Sequence, residues 1–210
     1  MRLYSGPLSL FTAKIRVALA EKGVAYERVE VGWSRQARYE PHHPEVVAIN
    51  PKRQVPCLVD GDLELYDSTL IFEYLEDRHP RPALMPTEPA AKARCRLLEL
   101  EADEVLFPHV WTLIATGFYP GGGDAGRGEA EAGVRRYQHR LAERLGAQPH
   151  LCGSFTTADI ANFVMLFAAS TLGVPIPADV PALAAWAQRV SERPAVATEM
   201  RDLATAATTS

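Results

Sequence analysis

Cysteine, long apolar runs and excess basic charge are all scarce in this 210-residue chain. Its three cysteines, Cys57, Cys95 and Cys152, are too widely spaced for a disulfide framework or a metal cluster. No apolar stretch is long enough to span a membrane, and the opening MRLYSGPLSL lacks the basic-then-apolar layout of a signal peptide. A net charge of -4 gives no reason to expect nucleic acid. We therefore expect a cytoplasmic protein, in a reducing compartment, without metal, membrane or nucleic-acid partners.

The composition is that of a soluble globular protein. Hydrophobic residues make up 47% of the chain and charged residues 23%. Its length allows one or two modest domains, each able to bury a core of its own.

The densest group of structural signals is QVPCLVDGDLELYDSTLIFEYL, from Gln54 to Leu75. Val55–Pro56 is a candidate cis peptide, because only X-Pro bonds adopt cis at low cost. CLV and LELY flank Asp60-Gly61, which predicts a β-hairpin. Asp67-Ser68 then precedes apolar residues at helical spacing, and either residue suits an N-cap. An extended edge beside a helix start with unpaired N–H groups suits a small, extended, acidic peptide.

The N-terminal third predicts a β–α–β unit. Arg2 to Ser5 reads as a short strand, Thr12 to Lys22 as a helix, and Tyr26 to Val31 as a second strand. Gly23 lies where a helix C-cap belongs. This unit has about the right length for two parallel strands.

VPCLVDG followed by DSTLIFEYLED resembles the glutathione-site half of the glutathione S-transferase family, whose pattern is V-P-x-L, a hairpin, then [ED]-S-x-x-I-x-x-Y-L. Gly153 to Ile160 is similar to the family's G-x-x-x-[ST]-x-A-D-I block, in which Thr156 and Asp159 form a capping arrangement. The resemblance implies an α/β thioredoxin-like N-terminal domain plus an all-α C-terminal domain. We expect a glutathione-binding domain over 1–79, a proline-rich linker over 80–89 and a helical domain over 90–210.

The resemblance also implies how glutathione is held. The Val55 backbone, next to a cis Pro56, would pair with the cysteinyl part as an added strand does. Ser68 would anchor the γ-glutamyl carboxylate. Basic residues would face the glycine carboxylate, and the choice among Arg35, Arg38, His42, His43 and Lys52 stays open. The binding residues assigned in this way are Lys52, Gln54, Val55, Pro56, Asp67, Ser68 and His42. Where the family usually has glycine, this chain has Arg53.

In the serine-using classes of the family, a hydroxyl before the first helix donates a hydrogen bond to the glutathione sulfur. By position Ser9 matches that serine, with Thr12 second and Ser5 third. Thr12 is the more obvious N-cap, which would leave Ser9 free to face the ligand. Tyr4 lies inside the first strand and is expected to be a core aromatic.

The resemblance places a second-substrate pocket in the helical domain, against the loop after the first strand. We assign Leu10, Phe11, Trp111 and Tyr119 to it. The long helix Ala90–Leu106, expected to end near Pro108, would form a homodimer interface, from which Asp103 could reach the partner's glutathione. Pro120–Gly133 reads as a flexible connection, and the final ATAATTS as a disordered tail.

These features predict a glutathione transferase that attacks small, largely apolar electrophiles, with glutathione as co-substrate. GPLSLF and TTADIANF are similar to bacterial β-aryl etherase-like and dehalogenase-like members. Conjugation, ether cleavage, dehalogenation and peroxide reduction fit the sequence equally. The alternative is a non-catalytic binding or assembly module with the same fold.

Overall fold

A computed structural model describes residues 1–40, 42–119 and 123–209. The chain divides into two compact units. The first comprises Met1–Ala83 together with Ala197–Ser210, and the second comprises Leu84–Val196.

The first unit is built on a four-stranded mixed sheet. Its elements in chain order are β1 (Arg2–Ser5), α1 (Leu10–Glu21), β2 (Glu27–Glu30), α2 (Pro44–Ile49), β3 (Cys57–Asp60), β4 (Leu63–Tyr66) and α3 (Ser68–Arg78). The strand order is β2-β1-β3-β4, with β1 and β2 parallel and the other pairs antiparallel. This is the thioredoxin-like arrangement that the sequence predicts.

Helix α1 is anchored by burial and by its C-terminal cap. Almost all of its residues from Leu10 to Leu19 are buried. Gly23 follows the helix at φ +63°, a left-handed conformation that glycine adopts without steric cost. The Val24 N–H donates to the Leu19 carbonyl at 2.9 Å and completes a Schellman motif. The C-cap prediction at Gly23 is therefore confirmed.

The hairpin forms one residue later than predicted. Asp60 still belongs to β3, where it pairs with Leu63, so the two loop residues are Gly61 and Asp62. Gly61 has φ +64°, whereas Asp62 has an ordinary negative φ. Glycine at the first loop position is what a type II′ turn requires.

The second unit is helical, as predicted. Its elements are α4 (Pro89–Glu101), a π-helical segment (Ala102–Leu106), α5 (Phe107–Gly117), α6 (Arg127–Leu145), α7 (Thr157–Thr171) and α8 (Pro181–Ser191). Helix α9 (Pro194–Thr209) follows, and from Ala197 onward it belongs to the first unit. Thr156 and Asp159 form the predicted capping box at the start of α7, which is buried along most of its length.

Three predictions about the helices are wrong. The helical path does not stop near Pro108, because the π-helical segment leads into α5 and proline is tolerated in that helix's first turn. The predicted connection Pro120–Gly133 is helical from Arg127 onward, where α6 starts; residues 120–122 lie outside the described ranges. The predicted disordered tail ATAATTS is helical over residues 204–209, because α9 continues to Thr209; Ser210 lies outside the described ranges.

Gly133 shows why glycine occurs inside α6. A Cβ there would lie 2.4 Å from the ring of His109 on α5, so this ring occupies the space that a side chain at position 133 would need. In the described ranges, no helix has the length and apolar character needed to cross a membrane.

Candidate functional site

Strand register brings three segments together at one end of the sheet in the first unit. Tyr4 near the end of β1 pairs with Cys57 at the start of β3, and Cys57 pairs with Tyr66 at the end of β4. The loop after Ser5, the Val55–Pro56 peptide before β3 and the Asp67-Ser68 pair after β4 therefore meet at the same end. This is the juxtaposition that the resemblance implies. Tyr4 itself is a buried core aromatic, as expected.

Ser9, not Thr12, caps helix α1. The helix begins at Leu10, and the Ser9 side chain accepts a hydrogen bond from the Thr12 N–H at 3.2 Å. The prediction that Thr12 is the cap is wrong, because α1 starts two residues earlier than its apolar spacing suggests. Thr12 is fully buried, and among the described residues its hydroxyl has no hydrogen-bond partner.

The capping bond leaves the Ser9 hydroxyl able to donate a hydrogen bond of its own. A hydroxyl that accepts an N–H bond keeps its own proton and can donate that proton to an anion. The start of a helix also carries partial positive charge, which favours a negative ligand. Ser9 can therefore donate to a thiolate while it holds the first turn of α1.

Asp67 and Ser68 form the start of α3. The Asp67 carboxylate accepts from the Thr69 N–H at 3.0 Å, and Ser68 is the first residue of the helix, with only 4% of its surface exposed. Asp67 has φ 79°, a left-handed conformation for a residue other than glycine. Such conformations cost about 1–3 kcal/mol and are concentrated at functional sites.

The Val55–Pro56 peptide is cis, as predicted. Pro56 is buried, Val55 half-buried and Gln54 exposed. The Gln54 carbonyl accepts a 2.6 Å hydrogen bond from the amide of Asn50, which is itself buried. This bond fixes the turn that leads to the cis peptide.

The two adjacent histidines have separate roles. His42 Nδ1 lies 2.7 Å from Glu40 Oε2, and the imidazole lowers the pKa of the Glu40 carboxyl. His43 caps α2 by accepting from the Glu45 N–H at 3.3 Å, and its ring centroid is 5.3 Å from that of Tyr4. His42 is therefore already paired with a carboxylate.

The other basic candidates are exposed. Lys52 sits on the turn that follows Asn50, and the Asn50 side chain accepts from the Lys52 backbone N–H at 2.9 Å. Arg35 donates to the Ala207 carbonyl of α9 at 3.2 Å, and Arg38 has φ 58°. The exposed Lys52 ammonium is the candidate nearest in sequence to Val55.

Tyr39 is a residue of this region that the sequence does not reveal. A Cβ on Gly6 would lie 2.5 Å from the Tyr39 hydroxyl oxygen, so Tyr39 packs directly on the loop that carries Ser9. Trp33 makes an edge contact with Tyr39, at 6.5 Å between ring centroids. A contact across more than thirty residues leaves no local pattern, so only the structure shows it.

Lys14 is a second residue that sequence reasoning passed over. It is fully buried in α1, with its ammonium 5.1 Å from the ring centroid of Phe11 and 5.6 Å from that of Phe72. Cation–π contacts of this kind stabilise a desolvated cation.

The predicted second-substrate residues form two groups, each within its own unit. Leu10 is buried and Phe11 half-buried in the first turn of α1. In the second unit the rings of Trp111 and Tyr119 lie 6.2 Å apart, and Trp111 is exposed. Asp103 lies half-buried in the π-helical segment. Across the described ranges, no three side chains of histidine, cysteine, aspartate or glutamate converge to hold a metal ion.

A thioredoxin-like unit with a hydroxyl-capped first helix, followed by a helical unit, defines the class of fold. Residues 3–83 match the glutathione S-transferase N-terminal domain, and residues 104–194 match the glutathione S-transferase C-terminal domain. The chain belongs to the glutathione S-transferase family.

Its relatives include proteins with different names. A stringent starvation protein A homolog from Coxiella burnetii is 43% identical over 100 residues, which span 47% of this chain and 44% of that protein's length. One from Pasteurella multocida is 33% identical over 200 residues, which cover 92% of this chain and 86% of that protein. Glutathione S-transferase 3 of Zea mays is 30% identical over 211 residues, which cover 93% of this chain and 90% of that protein. The match to the Coxiella protein thus spans less than half of that relative.

Solved structures share the fold. A sphingomonad glutathione S-transferase complexed with glutathione superposes with a TM-score of 0.80 at 26% identity, covering 97% of this chain and 99% of that one.

Proposed function

We propose that this protein binds glutathione and activates its thiol as a thiolate for attack on small, largely apolar electrophiles. One observation carries the proposal: the Ser9 hydroxyl caps α1 at the sheet end where Val55–Pro56 and Asp67-Ser68 meet. The structural neighbour complexed with glutathione supports this choice of ligand.

Each part of the site has a role in the proposal. The Val55 backbone pairs with the cysteinyl part of glutathione, and Ser68 with the free N–H groups of α3 holds the γ-glutamyl carboxylate. Lys52 faces the glycine carboxylate. The second-substrate residues stay predictions, Leu10 and Phe11 in the glutathione-binding domain and Trp111 and Tyr119 in the helical domain. The domain bounds 1–79 and 90–210 stay predictions.

The activation needs no general base. A free thiol has a pKa of about 8.5, and the thiolate is the nucleophile. A hydrogen bond to a charged group contributes about 1.5–3 kcal/mol, which lowers the thiol pKa by about one to two units. The Ser9 hydroxyl and the start of α1 together make the thiolate the main form near neutral pH.

The direct test is Ser9→Ala. Removing the hydroxyl should raise the pKa of bound glutathione by about one to two units, measured as thiolate absorbance against pH. Turnover of an electrophile at neutral pH should fall about ten- to hundred-fold and recover partly at high pH. Because Ser9 also caps α1, a thermal melt must show that the variant is folded.

Thr12→Val is the matched control, since it removes the other hydroxyl of this turn. If Thr12→Val shifts the thiolate titration and Ser9→Ala does not, the sulfur contact belongs to Thr12. If neither variant shifts it, the backbone N–H groups of α1 stabilise the thiolate.

A second candidate is a non-catalytic module that binds a partner through the same fold. The relatives from Coxiella burnetii and Pasteurella multocida favour it, because their name specifies no reaction. Retention on immobilised glutathione and turnover across a panel of electrophiles separate the two. Retention with turnover supports the transferase, whereas neither retention nor turnover supports the module.

A further inference from the structure

Two of the three cysteines meet inside the second unit. Cys95 lies on α4 and is fully buried, whereas Cys152 lies on the loop between α6 and α7 and is half-buried. The Cys152 thiol donates a hydrogen bond to the Cys95 sulfur. Cys152 also lines a cavity together with Ala91, Arg94 and Leu98, the α4 residues on either side of Cys95, so the two cysteines lie in the same part of the unit.

The surroundings of Cys95 favour its thiolate. Its sulfur lies 3.5 Å from the Thr157 hydroxyl, at the start of the 15-residue helix α7. The thiol of Cys152, the hydroxyls of Thr156 and Thr157 and the Ala158 N–H all hydrogen-bond to it. Together these donors lower the pKa of Cys95 to about 6, although burial opposes them. A thiolate at the start of a helix is a reactive form of cysteine.

An open cavity gives access to the pair. Its volume is about 450 Å³, and Cys152 lines it with Arg94, Leu98 and Arg144. Arg144 is held by Glu101, with 2.9 Å between Nη2 and Oε1. Cys152 is therefore the sulfur that a small molecule entering the cavity meets first, and Cys95 lies behind it.

The third cysteine has the opposite environment. Cys57 is buried in β3 of the first unit, and burial raises the pKa of its thiol to about 12. Its thiol donates a hydrogen bond to the Gln54 carbonyl at 3.5 Å. It serves as an internal reference for an unreactive cysteine.

We propose that Cys95 and Cys152 are a peroxide-reactive thiol pair that closes to a reversible disulfide inside the helical unit. The pair includes no residue assigned to the glutathione site, so this holds whether or not the chain is a transferase.

The chemistry balances with a hydroperoxide as the oxidant. The Cys95 thiolate attacks the O–O bond of ROOH, while Cys152 keeps its proton because its hydrogen bond to Cys95 raises its pKa. An S–O bond forms on Cys95, the O–O bond breaks, and RO⁻ leaves and takes up the proton of the Cys152 thiol as ROH. The Cys152 thiolate then attacks the Cys95 sulfenic acid, forming the S–S bond and releasing hydroxide, which takes up a proton from solvent and leaves as water. The two thiols are oxidised by two electrons, and the peroxide is reduced.

The experiment treats the purified, fully reduced protein with a slight excess of hydrogen peroxide. The thiols counted after denaturation should fall from three to one. Mass spectrometry should show the loss of two hydrogens and a peptide pair joining Cys95 to Cys152. Dithiothreitol should restore all three thiols.

Cys57→Ser is the matched control and leaves only the proposed pair. It should lose both remaining thiols at the wild-type rate. Cys152→Ser should form no internal disulfide. Thr157→Val, which removes a donor to Cys95, should slow closure about ten-fold near neutral pH and recover at higher pH. A purely structural role of Thr157 would not give that recovery.

Several results would overturn the proposal. These are an unchanged thiol count in the Cys57→Ser protein, a disulfide between two chains, or oxidation of Cys57 at the same rate as the pair. Circular dichroism of each variant confirms its folding, and the Cys57→Ser protein decides the outcome should Cys152→Ser fail to fold.

Discussion

Arg53 sits at φ 57°, next to the turn that leads into the cis peptide. A left-handed conformation costs a residue with a Cβ about 1–2 kcal/mol, and glycine avoids that cost. This is also the position where the family usually has glycine, so the sequence departure and the backbone strain coincide.

We predict that Arg53→Gly stabilises the protein by about 0.5–1 kcal/mol, because strain relief exceeds the added freedom of the unfolded chain. Urea unfolding measures the change. Lys52→Gly is the matched control at a neighbouring position that has no positive φ, and it should destabilise by a similar amount. Equal destabilisation by both variants would show that Arg53 is not strained.

Ser68 is the residue that should matter most for glutathione affinity. We expect Ser68→Ala to weaken binding about ten- to hundred-fold, since a hydrogen bond to a charged carboxylate contributes about 1.5–3 kcal/mol. Calorimetry measures the affinity directly. Ser191→Ala, a serine of α8 that donates to the Gln188 carbonyl, should leave it unchanged. Unaltered binding in Ser68→Ala would remove Ser68 from the site.

At the scale of elements, Asp159 organises the start of α7. Its buried carboxylate accepts from the Thr156 N–H at 2.9 Å, the Leu151 N–H at 3.0 Å and Trp186 Nε1–H at 2.7 Å. One side chain thus joins the cap of α7 to the preceding loop and to α8. Removing it would leave several buried donors unpaired.

We predict that Asp159→Ala destabilises the protein by about 3 kcal/mol or more, whereas Thr156→Ala costs only about 1 kcal/mol for the lost cap. Denaturant unfolding followed by tryptophan fluorescence measures both, with Trp186 as a probe beside the site. Asp179→Ala removes an exposed partner of His139 and should change stability by less than about 0.5 kcal/mol. A comparable loss in Asp159→Ala and Asp179→Ala would contradict the central role of Asp159.

The elements that could be predicted from the sequence are those marked by residues close together in the chain. Strand β1, the Gly23 cap and the Thr156–Asp159 capping box each depend on residues a few positions apart. The end of α4 could not be predicted in this way, because the π-helical segment carries the helical path past Pro108. Helix α6 likewise includes Gly133, since close packing against His109 outweighs glycine's low helix propensity.

The same distinction between local signals and contacts of distant residues applies to the candidate site. The V-P and D-S motifs predict Val55–Pro56 and the start of α3, because each lies beside its own turn or cap. Ser9 rather than Thr12 caps α1 because of where the helix begins. The residues that pack around the helix determine that starting point. The Cys95–Cys152 contact joins residues more than fifty positions apart, so spacing alone indicated three unrelated thiols.

At the scale of the whole molecule, the chain ends by returning to the unit in which it begins. Arg16 of α1 forms a buried ion pair with Glu199 of α9, with 2.8 Å between Nε and Oε2. The same guanidinium also donates to the Ser5 hydroxyl and the Gly6 carbonyl. Helix α9 is thereby tied to the strand end from which the Ser9 loop emerges, so the candidate site depends on residues nearly two hundred positions away.

The outer face of α4 supports the predicted homodimer. Leu97 and Leu100, each 48% exposed, lie three residues apart and therefore on one side of the helix. In a two-fold dimer the same patch meets itself, so any substitution there acts twice. Leu100 is the better position to alter, because Leu97 also lines the cavity beside Cys152.

We predict that the protein is a dimer through α4 and that Leu100→Glu weakens it about hundred-fold or more, because two like charges would be brought together in an apolar contact. Sedimentation equilibrium over a range of concentrations measures the dissociation constant. Val47→Glu places the same charge on an equally apolar residue of α2, 40% exposed, and should leave the dimer intact. A wild-type mass that stays monomeric at every concentration would exclude the dimer, and equal weakening by both variants would show that the contact is not centred on α4.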